Sequence, residues 1–236
     1  ALLSANAQKR AFTIEDLYRV KGVSSVSLSP DGKTVCYTAS SSDLKNQKSG
    51  SDIYIMNADG SHAKALTEDG KSSSAVWSKD GKSIFFTNYE KGTAQIFRMD
   101  LTTCETEQVT DYELGIGSPV ISPDERYIAF TAEVYPDLGA DAKANKARME
   151  KKEQGPVQAH IADKLLYRHW TSYSDGRCNH LILFDTQTKT YKDLTPGNYS
   201  LIFVVGGGIT YQFSPDSKEI CFVSNHDEHQ EASTNA

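Results

Sequence analysis

The sequence predicts an all-β protein, a partial β-propeller of three full four-stranded blades and half of a fourth, with a partly helical insertion in blade three. Three observations predict it. A Ser-x-Asp turn followed by a short β-branched and aromatic segment occurs four times, beginning at Ser29-Pro30-Asp31-Gly32, Ser78-Lys79-Asp80-Gly81, Ser122-Pro123-Asp124-Glu125 and Ser214-Pro215-Asp216-Ser217. The four serines stand 49, 44 and 92 residues apart, so the last interval spans two periods or one period holding an insertion. Three copies also share a fourth segment, ending in Ala65-Leu66-Thr67, Gln108-Val109-Thr110 and Asp193-Leu194-Thr195. A repeat of about 40–45 residues carrying four short strands is the signature of a propeller blade.

Each element has a local reason. Residues 1–22 read as a tail and a short helix, with Thr13-Ile14-Glu15-Asp16 as a capping box and Phe12 with Leu17 as a hydrophobic staple. Residues 23–236 read as the propeller portion. A first strand such as Val23 to Ser29 or Ser73 to Ser78 enters the turn, where Asp bonds its own downstream backbone and Gly tolerates a positive φ. The second strand, Thr34 to Ala39 or Ser83 to Asn88, carries the residues that favour strands. Third strands follow at Asp52 to Asn57, Gln95 to Asp100 and His180 to Asp185.

The insertion spans about residues 133–179. Ala140 to Gln154 is rich in Ala, Lys, Glu, Arg and Met and predicts a helix that Gly155-Pro156 stops. Ile161 to Tyr173 predicts an extended aromatic segment that closes at Ser174-Asp175-Gly176. Long insertions in repeat proteins collect on one face, often the working one. Three and a half blades do not close a ring, and natural proteins avoid open sheet edges, so the chain is expected to be part of something longer.

Composition excludes several functions. The 236 residues carry 31 acidic and 25 basic side chains, a net charge of −6, which opposes a sequence-independent grip on nucleic acid. The longest apolar run, Leu201 to Val205, is far short of the roughly 20 residues of a spanning helix, so no membrane span is expected. Ala5-x-Ala7 resembles the end of a secretory signal and predicts a periplasmic or secreted protein. His160, His169, His180 and the His226-x-x-His229 pair lack zinc spacing, and the Asp-Gly turns lack a calcium loop's ordered donors, so no metal is expected. Gly206-Gly207-Gly208 has no Lys-Ser/Thr after it and implies no phosphate loop; no cofactor is expected. Cys36 and Cys221 share one repeat position in non-adjacent blades, beyond the reach of a disulfide, and four free thiols are predicted.

Phe12 to Leu17, the Val26-Ser27-Leu28-Ser29-Pro30-Asp31-Gly32 turn, Tyr135-Pro136-Asp137-Leu138, and Asp163-Lys164-Leu165-Leu166-Tyr167-Arg168-His169-Trp170-Thr171-Ser172-Tyr173 together resemble the propeller of the prolyl oligopeptidase family. The similarity is to secreted bacterial dipeptidyl peptidases and their acylaminoacyl-peptidase relatives, and the last two pieces look like the third-blade insertion of the former. The resemblance implies the non-catalytic propeller of an exported serine peptidase that removes dipeptides from oligopeptide amino termini. Its partners are then a peptide substrate and a carboxy-terminal α/β-hydrolase domain of the same parent chain. That domain would carry the nucleophile in a Gly-x-Ser-x-Gly elbow. Gly50-Ser51, Gly60-Ser61 and Gly117-Ser118 lack this pattern, so no catalytic residue is assigned here and the chain alone is expected to hydrolyse nothing. The Ser-Pro-Asp-Gly turn also occurs in the periplasmic TolB propeller, which leaves two alternatives: a TolB-like protein-binding propeller without catalysis, or the propeller of an acylaminoacyl peptidase, which accepts a blocked amino terminus.

Within the insertion, Glu150 and Glu153 lie one helical turn apart and share a face. A carboxylate there suits a free peptide amino terminus, or it is a solvated helix face. Arg168, Trp170 and Tyr173 are the stronger substrate-binding candidates, because an Arg among aromatics binds a peptide carbonyl or carboxylate, or else packs the insertion onto its blade.

Overall fold

The computed structural model describes residues 10–157, 159–162, 167–169, 171–201 and 210–226. The repeated turn organises the chain. In each copy the serine hydroxyl donates to the Asp two residues on, at 2.6, 2.7, 2.6 and 2.7 Å for Ser29, Ser78, Ser122 and Ser214. The same hydroxyl accepts the N–H of Thr34, Ser83, Tyr127 and Glu219 in turn, closing the hairpin. The carboxylate accepts the N–H of Lys33, Lys82, Arg126 or Lys218. The fourth turn residue is left-handed in every copy: Gly32 (φ 72), Gly81 (φ 70), Glu125 (φ 62) and Ser217 (φ 63).

These turns link the first two strands of each blade. Strands β1 (Gly22–Leu28), β2 (Thr34–Asp43), β3 (Lys48–Asn57) and β4 (Lys64–Ala65) form one sheet in sequence order. Strands β5 (Ser72–Trp77), β6 (Ser83–Asn88), β7 (Gln95–Asp100) and β8 (Thr106–Gln108) form the second. The third joins β9 (Gly117–Ile121), β10 (Tyr127–Val134), β13 (Cys178–Asp185) and β14 (Thr190–Asp193). The insertion between β10 and β13 holds helix α2 (Ala142–Glu153) and the small hairpin β11 (Arg168–His169) and β12 (Ser172–Tyr173). A two-stranded sheet, β15 (Tyr211–Phe213) with β16 (Ile220–Phe222), begins the fourth blade. Among the described residues, three four-stranded sheets and the two-stranded β15–β16 sheet each carry the repeated turn between their first two strands.

The chain divides into two compact units, residues 1–77 with 84–87 and residues 78–83 with 88–236. In the first, helix α1 (Ile14–Arg19) follows the N-cap Thr13, whose N–H donates to Asp16 Oδ2 at 2.9 Å. Phe12 and Leu17, the expected staple pair, are 68% and 61% exposed. Strands β2 and β3 run to Asp43 and from Lys48, beyond the predicted Ala39 and Asp52 limits. Ser40 to Ser42 lack the apolar alternation that marks a half-buried strand, so pattern alone missed this ribbon. Gly50 lets it pass close to the chain, since a Cβ there would lie 2.8 Å from the Gly70 carbonyl oxygen. Cys36 is fully buried, and Trp77 Nε1 donates to Ser27 O at 3.0 Å.

In the second unit, β10 and β13 are apolar on both faces. On one, Ala129 and Leu181 pack with Leu201, Tyr211 and Phe213. On the other, Phe130 meets Tyr112 edge-on at 5.2 Å, while Tyr191 stacks on Phe184 at 4.7 Å. Aromatic pairs in these offset arrangements are worth about 0.5–1.5 kcal/mol beyond their buried area.

The Leu66-Thr67, Val109-Thr110 and Leu194-Thr195 pairs do not lie in the fourth strands as expected. They fall just past them, where each threonine hydroxyl bonds a third strand instead. Thr67, Thr110 and Thr195 Oγ1 each accept an N–H at 2.9 Å, from Ile53, Ile96 and Leu181. The residue before each donor also holds the chain beyond the threonine: Asp52 accepts Gly70 N, Gln95 bonds both backbone groups of Tyr112, and His180 contacts Gly197 O. Helix α2 stops at Glu153, as Gly155-Pro156 predicts. Of the predicted extended segment, the described residues show only β11 and β12 as strand. Trp170, Leu165-Leu166, the Ala5-x-Ala7 pattern, Gly206-Gly207-Gly208 and His229 lie outside the described residues. All four cysteines are free thiols.

Candidate functional site

Helix α2 is fixed to blade three by one buried side chain. Asn145 accepts Tyr135 N at 2.6 Å and donates through Nδ2 to Gly139 O at 3.0 Å and Asp141 O at 2.8 Å. Asp141 caps the helix by accepting Ala144 N at 3.0 Å. One turn further on, Arg148 lies 4.6 Å and the Lys152 ammonium 5.1 Å from the Tyr135 ring centre, a cation–π arrangement on both. Arg148 also grips Asp137 with both terminal nitrogens, at 2.7 and 2.6 Å. That bond holds the Asp137 carboxyl below the usual carboxylate range. The buried Tyr135 hydroxyl has no partner among the described residues.

Docked in this way, α2 separates two cavities. The first, about 870 Å³, lies between the helix, residues 155–157 and 159–162 and the β12 end, with Tyr135, Lys152, His160, Tyr167 and Tyr173 in its wall. His160 stacks on Tyr173 at 4.0 Å with 5° between the rings. The second, about 620 Å³, lies where β10 and β13 meet the helix, with Glu113, Glu133, Lys146, Glu150, Glu153 and Arg177 around it. Met149, Glu153 and Arg177 border both. In the second cavity, Lys146 pairs with Glu113 at 3.5 Å and Arg177 with Glu133 at 3.1 Å. Glu150 is exposed and its carboxylate has no partner among the described residues.

The predicted residues therefore divide between two places. Tyr173 lines the first cavity and Glu150 the second. Arg168 is exposed, with its guanidinium 5.9 Å from the Tyr173 ring centre, at the outer limit of a cation–π contact. Trp170 lies outside the described residues. Sequence reasoning did not single out Tyr135, Lys146, Arg177, Glu113 or Glu133 as site residues. Only tertiary packing gathers them; of the five, Tyr135 alone stands in a motif the sequence marks, Tyr135-Pro136-Asp137-Leu138. Among the described residues no group of three or more His, Cys, Asp or Glu side chains is arranged to hold a metal ion.

Residues 11–154 match the TolB beta propeller domain, PD40. The chain belongs to this TolB propeller family. Its blades fit that membership: four-stranded sheets, each opened by the Ser-x-Asp hairpin. This TolB-type propeller is 31% identical over 86% of its length to dipeptidyl-peptidase 5 of Porphyromonas gingivalis, and covers 29% of that protein. It is 28% identical over 71% of its length to dipeptidyl-peptidase 5 of Porphyromonas endodontalis, of which it covers 23%. The Pyrococcus horikoshii acylaminoacyl peptidase superposes with a TM-score of 0.56 at 20% identity, over 76% of this chain and 26% of that one, and shares the fold. The chain thus spans less than a third of the peptidases it matches, and the part it matches is their propeller.

Proposed function

We propose that the chain is the non-catalytic propeller of an exported serine peptidase that releases dipeptides from oligopeptide amino termini, with Glu150, Arg168 and Tyr173 facing the peptide. The observation that carries the reading is that the blade-three insertion builds both cavities. A free peptide amino terminus is a cation, and the exposed Glu150, without a partner among the described residues, is the carboxylate that meets it. The stacked His160 and Tyr173 offer an apolar wall to a peptide side chain. Arg168 supplies donors for a carbonyl or carboxylate oxygen. Acyl transfer belongs to the rest of the parent protein: a serine hydroxyl attacks the scissile carbonyl, the shortened peptide leaves as the amine, and water releases the dipeptide. Export is supported by the Ala5-x-Ala7 pattern.

The test is kinetic and uses the full-length parent. Glu150→Gln raises KM for dipeptidyl substrates with a free amine and leaves amino-acylated substrates unchanged. Arg168→Ala, Trp170→Ala and Tyr173→Ala lower kcat/KM without loss of folding. Wild-type constants in all four variants overturn the site assignment. A parent that turns over only acylated substrates is an acylaminoacyl peptidase, and one with no turnover is a protein-binding propeller.

A further inference from the structure

We propose that His180 is a pH-operated clasp: its imidazolium pins Gly197, in the segment of residues 196–200, to blade three beside the Ser200 and Leu201 bonds to Asn179, and loss of its proton loosens that segment. His180 is fully buried. Nδ1 lies 2.7 Å from Asp193 Oδ2 and Nε2 lies 2.9 Å from Gly197 O. A carbonyl oxygen only accepts, and so does an ionised carboxylate, so both contacts need a hydrogen on the ring. The other Asp193 oxygen is occupied by Thr195 N at 2.9 Å. Neutral imidazole keeps one N–H, and the hydrogen bond to Asp193 is the stronger because it is charge-assisted. The proton is therefore lost from Nε2 to water, and a lone pair is left facing the Gly197 carbonyl in a buried site.

The surroundings favour a clasp over a plain core histidine. Burial pushes the His180 pKa down, but Asp193, Cys178 and the Gly197 carbonyl outweigh it and raise it to about 9. On the side of that segment Tyr199 approaches, with ring centres 6.4 Å apart, and His226 lies behind Tyr199 at 4.1 Å. Across the sheet His180 pairs with Ala132, and the adjacent Glu133 is neutralised by Arg177. Beyond Asp193 stand Tyr112, whose own pKa burial raises with Asp193 and Asp141 assisting, and Gly139. A Cβ at Gly139 would lie 3.3 Å from Asp193 Oδ2, so the root of the insertion rests on the same carboxylate.

The sign follows from linkage. A raised folded pKa gives stability that is complete below the unfolded value of about 6.5 and lost as pH rises through the folded value. Between them, opening of the segment becomes about tenfold easier per pH unit. Two measurements on this chain test the proposal. Imidazole NMR titration is expected to show one of the six histidines still protonated at pH 8. Amide exchange over residues 194–201, corrected for intrinsic base catalysis, is expected to lose about tenfold protection per pH unit from 7 to 9, with no such slope in His180→Gln. A His180 that titrates at or below 6.5, or protection that stays flat in the wild type, overturns the proposal. Should His180→Gln fail to fold, the two wild-type measurements decide alone.

Discussion

Asn145 and Tyr135 are joined by a 2.6 Å hydrogen bond from the Tyr135 backbone to a side chain that is itself fully buried. With its two bonds to Gly139 and Asp141, Asn145 is satisfied on both ends of its amide. A polar side chain so placed is costly to remove, because each stranded buried group loses its hydration unreplaced, at about 1–3 kcal/mol. Asn145→Ala is therefore expected to destabilise the second unit by about 2–4 kcal/mol on that scale. Urea denaturation measures it, and exchange of α2 amides should rise first. A change under about 0.5 kcal/mol would mean the helix is held by other contacts.

The left-handed turn positions make a second prediction. Glu125 accepts Lys79 N, and Ser217 accepts Asp124 N at 3.0 Å, so each non-glycine side chain ties its turn to the turn of the preceding blade. Gly32 and Gly81 meet the same backbone demand without that tie. Glu125→Gly relieves the left-handed strain but loses the bond, and is expected to stay within about 1 kcal/mol of wild type. Glu125→Val loses the bond and adds strain, and should cost at least 1 kcal/mol more. Paired thermal melts of the two variants check the ordering.

The turn aspartates predict an acid response. Asp31, Asp80, Asp124 and Asp216 are all held below the ordinary carboxylate range, Asp31 by the Ser29 hydroxyl and then by Lys33 N, Asp80 by Lys82 N and then by the Ser78 hydroxyl. A lowered folded pKa gives stability that is present above the unfolded value, about 3.9, and lost as pH falls through the folded one. Denaturation midpoints should drop on acidification below about pH 4. Asp31→Asn with Asp80→Asn should flatten that slope.

Thiol chemistry gives a fourth. Titration of the unfolded, unreduced chain should return four thiols. In the native chain Cys104 and Cys221 are exposed and should react at once, whereas Cys36 is buried and its thiol is pushed up to about 11 by that burial. Modification of Cys36 should therefore track unfolding. Rapid labelling of Cys36 under native conditions would contradict the packing of the first blade.

Blade architecture was legible in the sequence because its determinants are local. Ser-x-Asp closes the same hairpin wherever it stands, since every bond in it spans five residues or fewer. The threonine bonds to the third strands had a signal too: Thr67, Thr110 and Thr195 follow Asp52, Gln95 and His180, respectively, by fifteen residues. The three partners differ in chemistry, so residue identity hid what spacing shows. The ribbon of β2 and β3 was not legible, because serines exposed on both faces leave no period to read.

The candidate site was legible only in part. Glu150, Arg168 and Tyr173 stood out by type within an insertion that the repeat itself exposed as an interruption. Their grouping came from tertiary structure: Arg177 reaches back to Glu133 across forty-four residues, Lys146 to Glu113 across thirty-three, and Asn145 decides which face of α2 meets the blade. By itself the sequence determined the repeat, its turns and the place of the insertion, because short-range hydrogen bonds and strand periodicity are written in neighbouring residues. The two cavities, the Tyr135 cation pair and the doubly bonded His180 were decided by packing, because a polar side chain's partner depends on which distant segment the fold brings within 3 Å of it.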